Sequence, residues 1–113
     1  MSERSFIYEF NGIMHMLKEH EFLMYSNRKE FEEKQKAASI AFVKLVSEKT
    51  GLSLAAESLV LNFYGINSPT MKNAKQILIR AHRFYKSKAA LDSKNRIIFE
   101  SYAEKCKEAA LLL

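Results

Sequence analysis

The chain has 113 residues, 48% of them hydrophobic and 27% charged, with three Gly, one Pro, one Cys and no Trp. Gly and Pro normally make up roughly 12% of a chain, so hairpins, tight turns and flexible linkers have little raw material, which argues against a β-sandwich, a barrel or two tethered domains. The apolar content excludes a disordered chain, the net charge of +5 points to anionic partners, and the length fits one domain, residues 1–113, burying roughly two-thirds of its unfolded surface.

Helical spacing governs the order of elements. Phe6, Phe10, Ile13 and Leu17 recur at intervals of three and four, with Ile7 and Met14 beside them, and predict a first amphipathic helix. After the cluster Phe22-Leu23-Met24-Tyr25, Asn27 and Glu30 have the spacing of a helix cap and its third residue, which sets a boundary at Ser26-Asn27. Without that boundary residues 5–50 would form one rod of about 68 Å. The second helix, roughly 28–50, opens on Glu30, Glu32 and Glu33, which suit the positive end of its dipole. It buries Phe31, Ala38, Phe42, Leu45 and Val46 and ends at Gly51.

A third helix is expected from Ser53 through Leu59, Val60, Phe63 and Tyr64 to Gly65, although the run from Leu59 to Tyr64 also suits a buried strand. No second strand is available to pair with it, so helix is preferred. Asn67 or Ser68 is placed to cap a fourth helix, with Pro69 near its first turn. Its stripe is Met71, Ala74, Leu78, Ala81 and Tyr85, with Ile77 and Phe84 alongside, and it runs to about residue 90. Asp92 and Ser93 mark a turn and a new cap; the last helix then buries Ile98, Tyr102, Cys106 and Ala109, with Phe99, Ala103 and Ala110 adjacent. The fold class is therefore all-α, a compact bundle of four to five helices with room for a helix-turn-helix-like corner.

No apolar run reaches the roughly 18 residues of a membrane span, and a lone Cys106 fits a reducing cytoplasm. Charge is unevenly placed. From Lys72 to Arg96 there are eight basic residues and a single acid, Asp92, a net +7 that leaves the remainder slightly acidic. Lys and Arg attract phosphates with little regard to base sequence, so this segment is the candidate polyanion surface, although the same side chains also suit the plain solvated face of a helix.

Residues 58–77 resemble a helix-turn-helix, the DNA-binding element of many small regulators. The resemblance rests on an apolar helix ending Phe63-Tyr64, a turn at Gly65-Ile66-Asn67 and a capped helix starting Ser68-Pro69-Thr70. It implies that Val60, Tyr64, Ile66, Met71 and Ala74 are buried between the helices. It also implies that Ser68, Thr70, Lys72, Asn73 and Gln76 face the major groove. Asn73 and Gln76 would pair with adenine edges, and Lys75, Arg80 and Arg83 would hold phosphates, with Lys86 and Lys88 extending the basic helix. Leu61 stands where the motif usually carries a small residue, and the second helix is longer than the motif's usual one.

No recognised catalytic signature is present, so no enzyme activity, cofactor or metal is expected. His15 and Glu19 share a helix face with His20 beside them, an arrangement that suits a surface histidine better than a metal ligand. His82, between Arg80 and Arg83, suits a polar contact, and Cys106 a small core residue. Met14, Met16 and Met24 with Phe22 suit core packing or an adaptable partner surface. Leu111-Leu112-Leu113 cannot all face one core, which makes a second copy of the chain a candidate partner.

The function expected from these residues is that of a small, non-enzymatic, DNA-binding regulator acting through the helix at 68–88. The alternative is an inhibitor, adaptor or subunit that docks on an acidic protein through the same face. Exposed Phe84 and Tyr85 would favour that protein partner. Attachment to anionic lipid is set aside, because the stripe Leu78, Ala81 and Tyr85 is needed for the core.

Overall fold

A computed structural model gives the fold and describes residues 1–55 and 61–113. Among the described residues there are five helices: α1 (Glu3–Glu19), α2 (Leu23–Ser26), α3 (Arg28–Thr50), α4 (Met71–Leu91) and α5 (Arg96–Leu112). The extents of 39 × 37 × 20 Å fit two layers of helices, since one helix with its side chains is about 10–12 Å across.

The expected break before α3 is present. The Asn27 side chain accepts from the Glu30 amide at 3.1 Å and donates from Nδ2 to the Glu30 carboxylate at 3.2 Å, a reciprocal cap at the helix start. The turn at His20–Phe22 adds a second break, so α1 folds back on α3 instead of continuing as a rod. Their contact is aromatic: the rings of Phe10 and Phe42 lie 5.1 Å apart, and Phe6 meets Phe42 edge-on at 6.4 Å. Gly51, with φ of 77°, ends α3 in the left-handed conformation that its position requires.

The expected third helix is corrected. Ser53–Ala55 and Leu61–Phe63 are not helical, while Glu57, Leu59 and Val60 lie outside the described residues. From Leu61 to Tyr64 burial alternates: Leu61 and Phe63 point into the core, and Asn62 and Tyr64 point out. Phe63 meets the Phe42 ring edge-on at 5.8 Å and belongs to the buried core. The backbone of this stretch finds partners outside a helix. The Leu61 amide donates to the buried Ser39 hydroxyl at 3.2 Å, the Tyr64 amide to the Asn62 side chain at 2.9 Å, and the Ile66 amide to the Phe63 carbonyl at 3.1 Å.

α4 and α5 form an antiparallel hairpin. Small residues line the seam, with Ala74, Ala81 and Ala89 on one helix and Ala103, Cys106, Ala109 and Ala110 on the other, all buried. Tyr85 stacks on Phe99 at 6.1 Å and meets Tyr102 at 5.4 Å, and the ring of His82 reaches the Ala103 carbonyl at 2.8 Å. Burial pushes the Cys106 thiol up to about 11. In the connection, the side chain and backbone of Asn95 donate to the Asp92 carboxylate and hold it below the usual carboxylate range. Asn95, and not Ser93, precedes α5, and Ile98 stands half-exposed instead of joining the core.

Candidate nucleic-acid interface

α4 carries the candidate surface, and its sequence explains its two faces. Ala74, Ile77, Leu78, Ala81, Tyr85 and Ala89 recur at three- and four-residue spacing and are buried. Lys72, Lys75, Gln76, Arg83 and Lys86 are exposed. At 100° per residue those five fall within an arc of about 100° opposite the buried stripe, and Lys72 and Lys86 stand about 21 Å apart along the axis. The helix contains no Asp or Glu to neutralise them. From α5, Glu104 approaches Lys86 at 4.0 Å, a solvent-exposed pair that contributes little.

The remaining expected contacts have other occupations. Thr70, and not Asn67 or Ser68, caps α4: its hydroxyl accepts from the Asn73 amide at 3.1 Å, and Pro69 lies just before the cap. The Asn73 side chain donates to the Ser68 carbonyl at 2.8 Å and to the Ser68 hydroxyl at 3.1 Å, so its amide is used in tying down the turn rather than offered to a base. Arg80 donates from Nη1 to the Tyr64 carbonyl and, at 3.5 Å, to the Asn62 carbonyl. The Lys88 ammonium lies 5.0 Å from the centre of the Phe84 ring and 5.5 Å from that of Phe99.

The helix-turn-helix resemblance is corrected at its first helix, because Leu61–Phe63 is not helical ahead of the turn at Gly65, whose φ is 76°. Ile66 and Ala74 are buried as the motif implies and Met71 half-buried, whereas Tyr64 is exposed. Val60 is outside the described residues. What remains is a single long basic helix whose start is pinned by an irregular segment.

Elsewhere, Met14 and Met24 come together with Leu17, Phe31, Phe63 and Ile66 in an open groove of about 690 Å³ between α1, α3 and the turn at 63–69. His15 pairs with Glu19 at 2.9 Å on the exposed face of α1. Among the described residues no group of three His, Cys, Asp or Glu side chains is arranged to hold a metal ion, and no helix is long and apolar enough to cross a membrane. Leu111 and Leu112 are exposed, and Leu113 packs against the core.

Comparison of this chain with protein families, with curated proteins and with solved structures found no match.

Proposed function

We propose that this chain is a small, non-enzymatic nucleic-acid-binding protein, a DNA-binding regulator that lays the outward face of α4 along the phosphate backbone. The observation that carries the proposal is the set Lys72, Lys75, Arg83 and Lys86, four exposed cations on one face of a helix that contains no acid. Such an array releases counterions from a duplex and gains affinity without reading bases. Gln76 is the one amide side chain of α4 on that face, so base preference is weak and rests on it.

A second reading, docking on an acidic protein, draws support from Phe84, which is 45% exposed; Tyr85, at 3%, gives it none. A gel shift with two duplexes of unrelated sequence separates the two. The nucleic-acid proposal predicts similar affinity for both duplexes, and a loss of about 100-fold between roughly 50 and 200 mM salt for four phosphate contacts. Absence of binding to either duplex at the lower salt would rule it out in favour of the protein partner.

A further inference from the structure

The closed end of the α4–α5 hairpin carries three aliphatic side chains that the core does not use. Leu91, the last residue of α4, is 89% exposed, and Ile97 and Ile98 in the first turn of α5 are 83% and 51% exposed. Monomeric proteins scatter single apolar residues over their surface, but here three exposed ones fall within eight positions at one end of a hairpin. The end is rigid. Asn95 donates twice to the Asp92 carboxylate, and Arg96 donates from Nε to the Ala89 carbonyl at 3.4 Å, so the last turn of α4 and the first of α5 are joined by side-chain bonds. Around the patch stand three cations, Lys88, Lys94 and Arg96, and two acids, Asp92 and Glu100, a net charge of +1, with the Asp92 carboxylate already bonded to Asn95.

We propose that this hairpin end is a docking point for an anionic lipid surface, with Leu91 and Ile97 entering the headgroup boundary, Lys94 and Arg96 meeting lipid phosphates and carboxylates, and Lys88, seated on the Phe84 and Phe99 rings, adding its charge from behind. An interfacial site needs apolar side chains flanked by cations on an element that keeps its shape. It does not need a long apolar helix. A stable protein interface takes about 800 Å² from each partner, more than three aliphatic side chains and their turn present. Two copies meeting end to end would oppose like charges. A bilayer accepts a small protruding end at no such cost.

The stripe that sets lipid binding aside at the level of sequence, Leu78, Ala81 and Tyr85, is indeed buried. Leu91, Ile97 and Ile98 are different residues, and all three are exposed. The site shares none of Lys72, Lys75, Arg83 and Lys86, so it stands or falls apart from the nucleic-acid proposal.

The test is sedimentation of the full chain with vesicles of phosphatidylcholine alone and of phosphatidylcholine mixed with phosphatidylserine. Three proteins are compared: the parent, the double variant Leu91→Ser/Ile97→Ser, and the double variant Lys72→Gln/Lys75→Gln. All four positions are exposed, and unchanged circular dichroism verifies that each variant folds. The parent should pellet with the mixed vesicles far more than with phosphatidylcholine alone. The Leu91/Ile97 variant should lose about 100-fold in affinity, roughly tenfold for each apolar side chain kept in water, while the Lys72/Lys75 variant keeps most of its binding. Three results would overturn the proposal. The parent does not pellet with phosphatidylserine vesicles; or the Leu91/Ile97 variant pellets as the parent does, which marks general adhesion of basic residues; or the parent is a dimer in solution that the Leu91/Ile97 substitutions dissolve, which marks a second copy as the occupant.

Discussion

Arg80 donates from Nη1 to the backbone carbonyl of Tyr64 at 2.5 Å. The same nitrogen reaches the Asn62 carbonyl, so one guanidinium holds two carbonyls of a segment that has no helix or strand to satisfy them. A helical cation in a basic stretch thereby becomes the latch between α4 and the residues that plug the core with Leu61 and Phe63. Replacing Arg80 by Ala should lower stability by roughly 1–2 kcal/mol, the worth of a charged donor on a partly exposed site. Urea denaturation reads that loss. The salt dependence of duplex binding should stay as in the parent, since Arg80 is not among the phosphate contacts.

Ser39 is the second anchor of that segment. Its hydroxyl is buried, accepts from the Leu61 amide and donates to the Gln35 carbonyl at 3.0 Å. Ser39→Ala leaves a buried amide without its acceptor, at a cost of about 1–3 kcal/mol. Hydrogen exchange at the Leu61 amide should accelerate by more than exchange at the Ala74 amide, which bonds within the start of α4. Equal acceleration at both would mean that the hydroxyl acts only through global stability.

These two contacts explain which parts of the fold are legible in the sequence. The buried face of α3, its cap at Asn27 and its end at Gly51 follow from neighbours three or four positions apart, and each is present. The stretch at 61–66 is not legible in that way. Its amide partner Ser39 lies 22 positions back, and Arg80, the partner of its carbonyls, lies 16 and 18 positions on; neither pairing leaves a local period. The same limit applies to the candidate site. The outward cations Lys72, Lys75, Arg83 and Lys86 are set by helical spacing alone, whereas the diversion of Asn73, Arg80 and Lys88 into the turn and onto aromatic rings depends on tertiary neighbours. Ile98 is four positions from Tyr102 yet exposed, whereas its neighbour Phe99 packs on Tyr85, so the buried face of α5 is the one shared by Phe99, Ala103, Cys106 and Ala110.

Base preference gives a sharper expectation. Asn73 is held by Ser68 and Gln76 is free on the outer face, so Gln76→Ala should flatten what sequence preference the protein has. Asn73→Ala should leave preference unchanged and lower thermal stability through the loosened turn. Competition binding with duplexes differing at single positions distinguishes the two variants; a change of preference in Asn73→Ala alone would reverse these roles.

Cys106 supplies a pH dependence. Burial raises its thiol to about 11 from the ordinary value of 9.0, so the folded state disfavours the thiolate that the unfolded chain forms. The sign is that of a raised pKa: its contribution to stability is complete below pH 9 and is lost as pH rises toward 11. A thiol reagent at pH 8 should react slowly with the native protein and rapidly in urea, and Cys106→Ala should flatten the alkaline loss of stability. Equally fast reaction in both states would place the thiol at the surface.

Contact between phosphates and the four outward cations of α4 is read from the slope of log Kd against log salt for a duplex, measured by fluorescence anisotropy on the parent and on the variant with Lys72, Lys75, Arg83 and Lys86 all changed to Gln. Each neutralised phosphate adds about 0.9 to that slope, so the parent should show a value near 4 and the folded variant a value near zero. A folded variant that binds with the affinity and slope of the parent would contradict the claim.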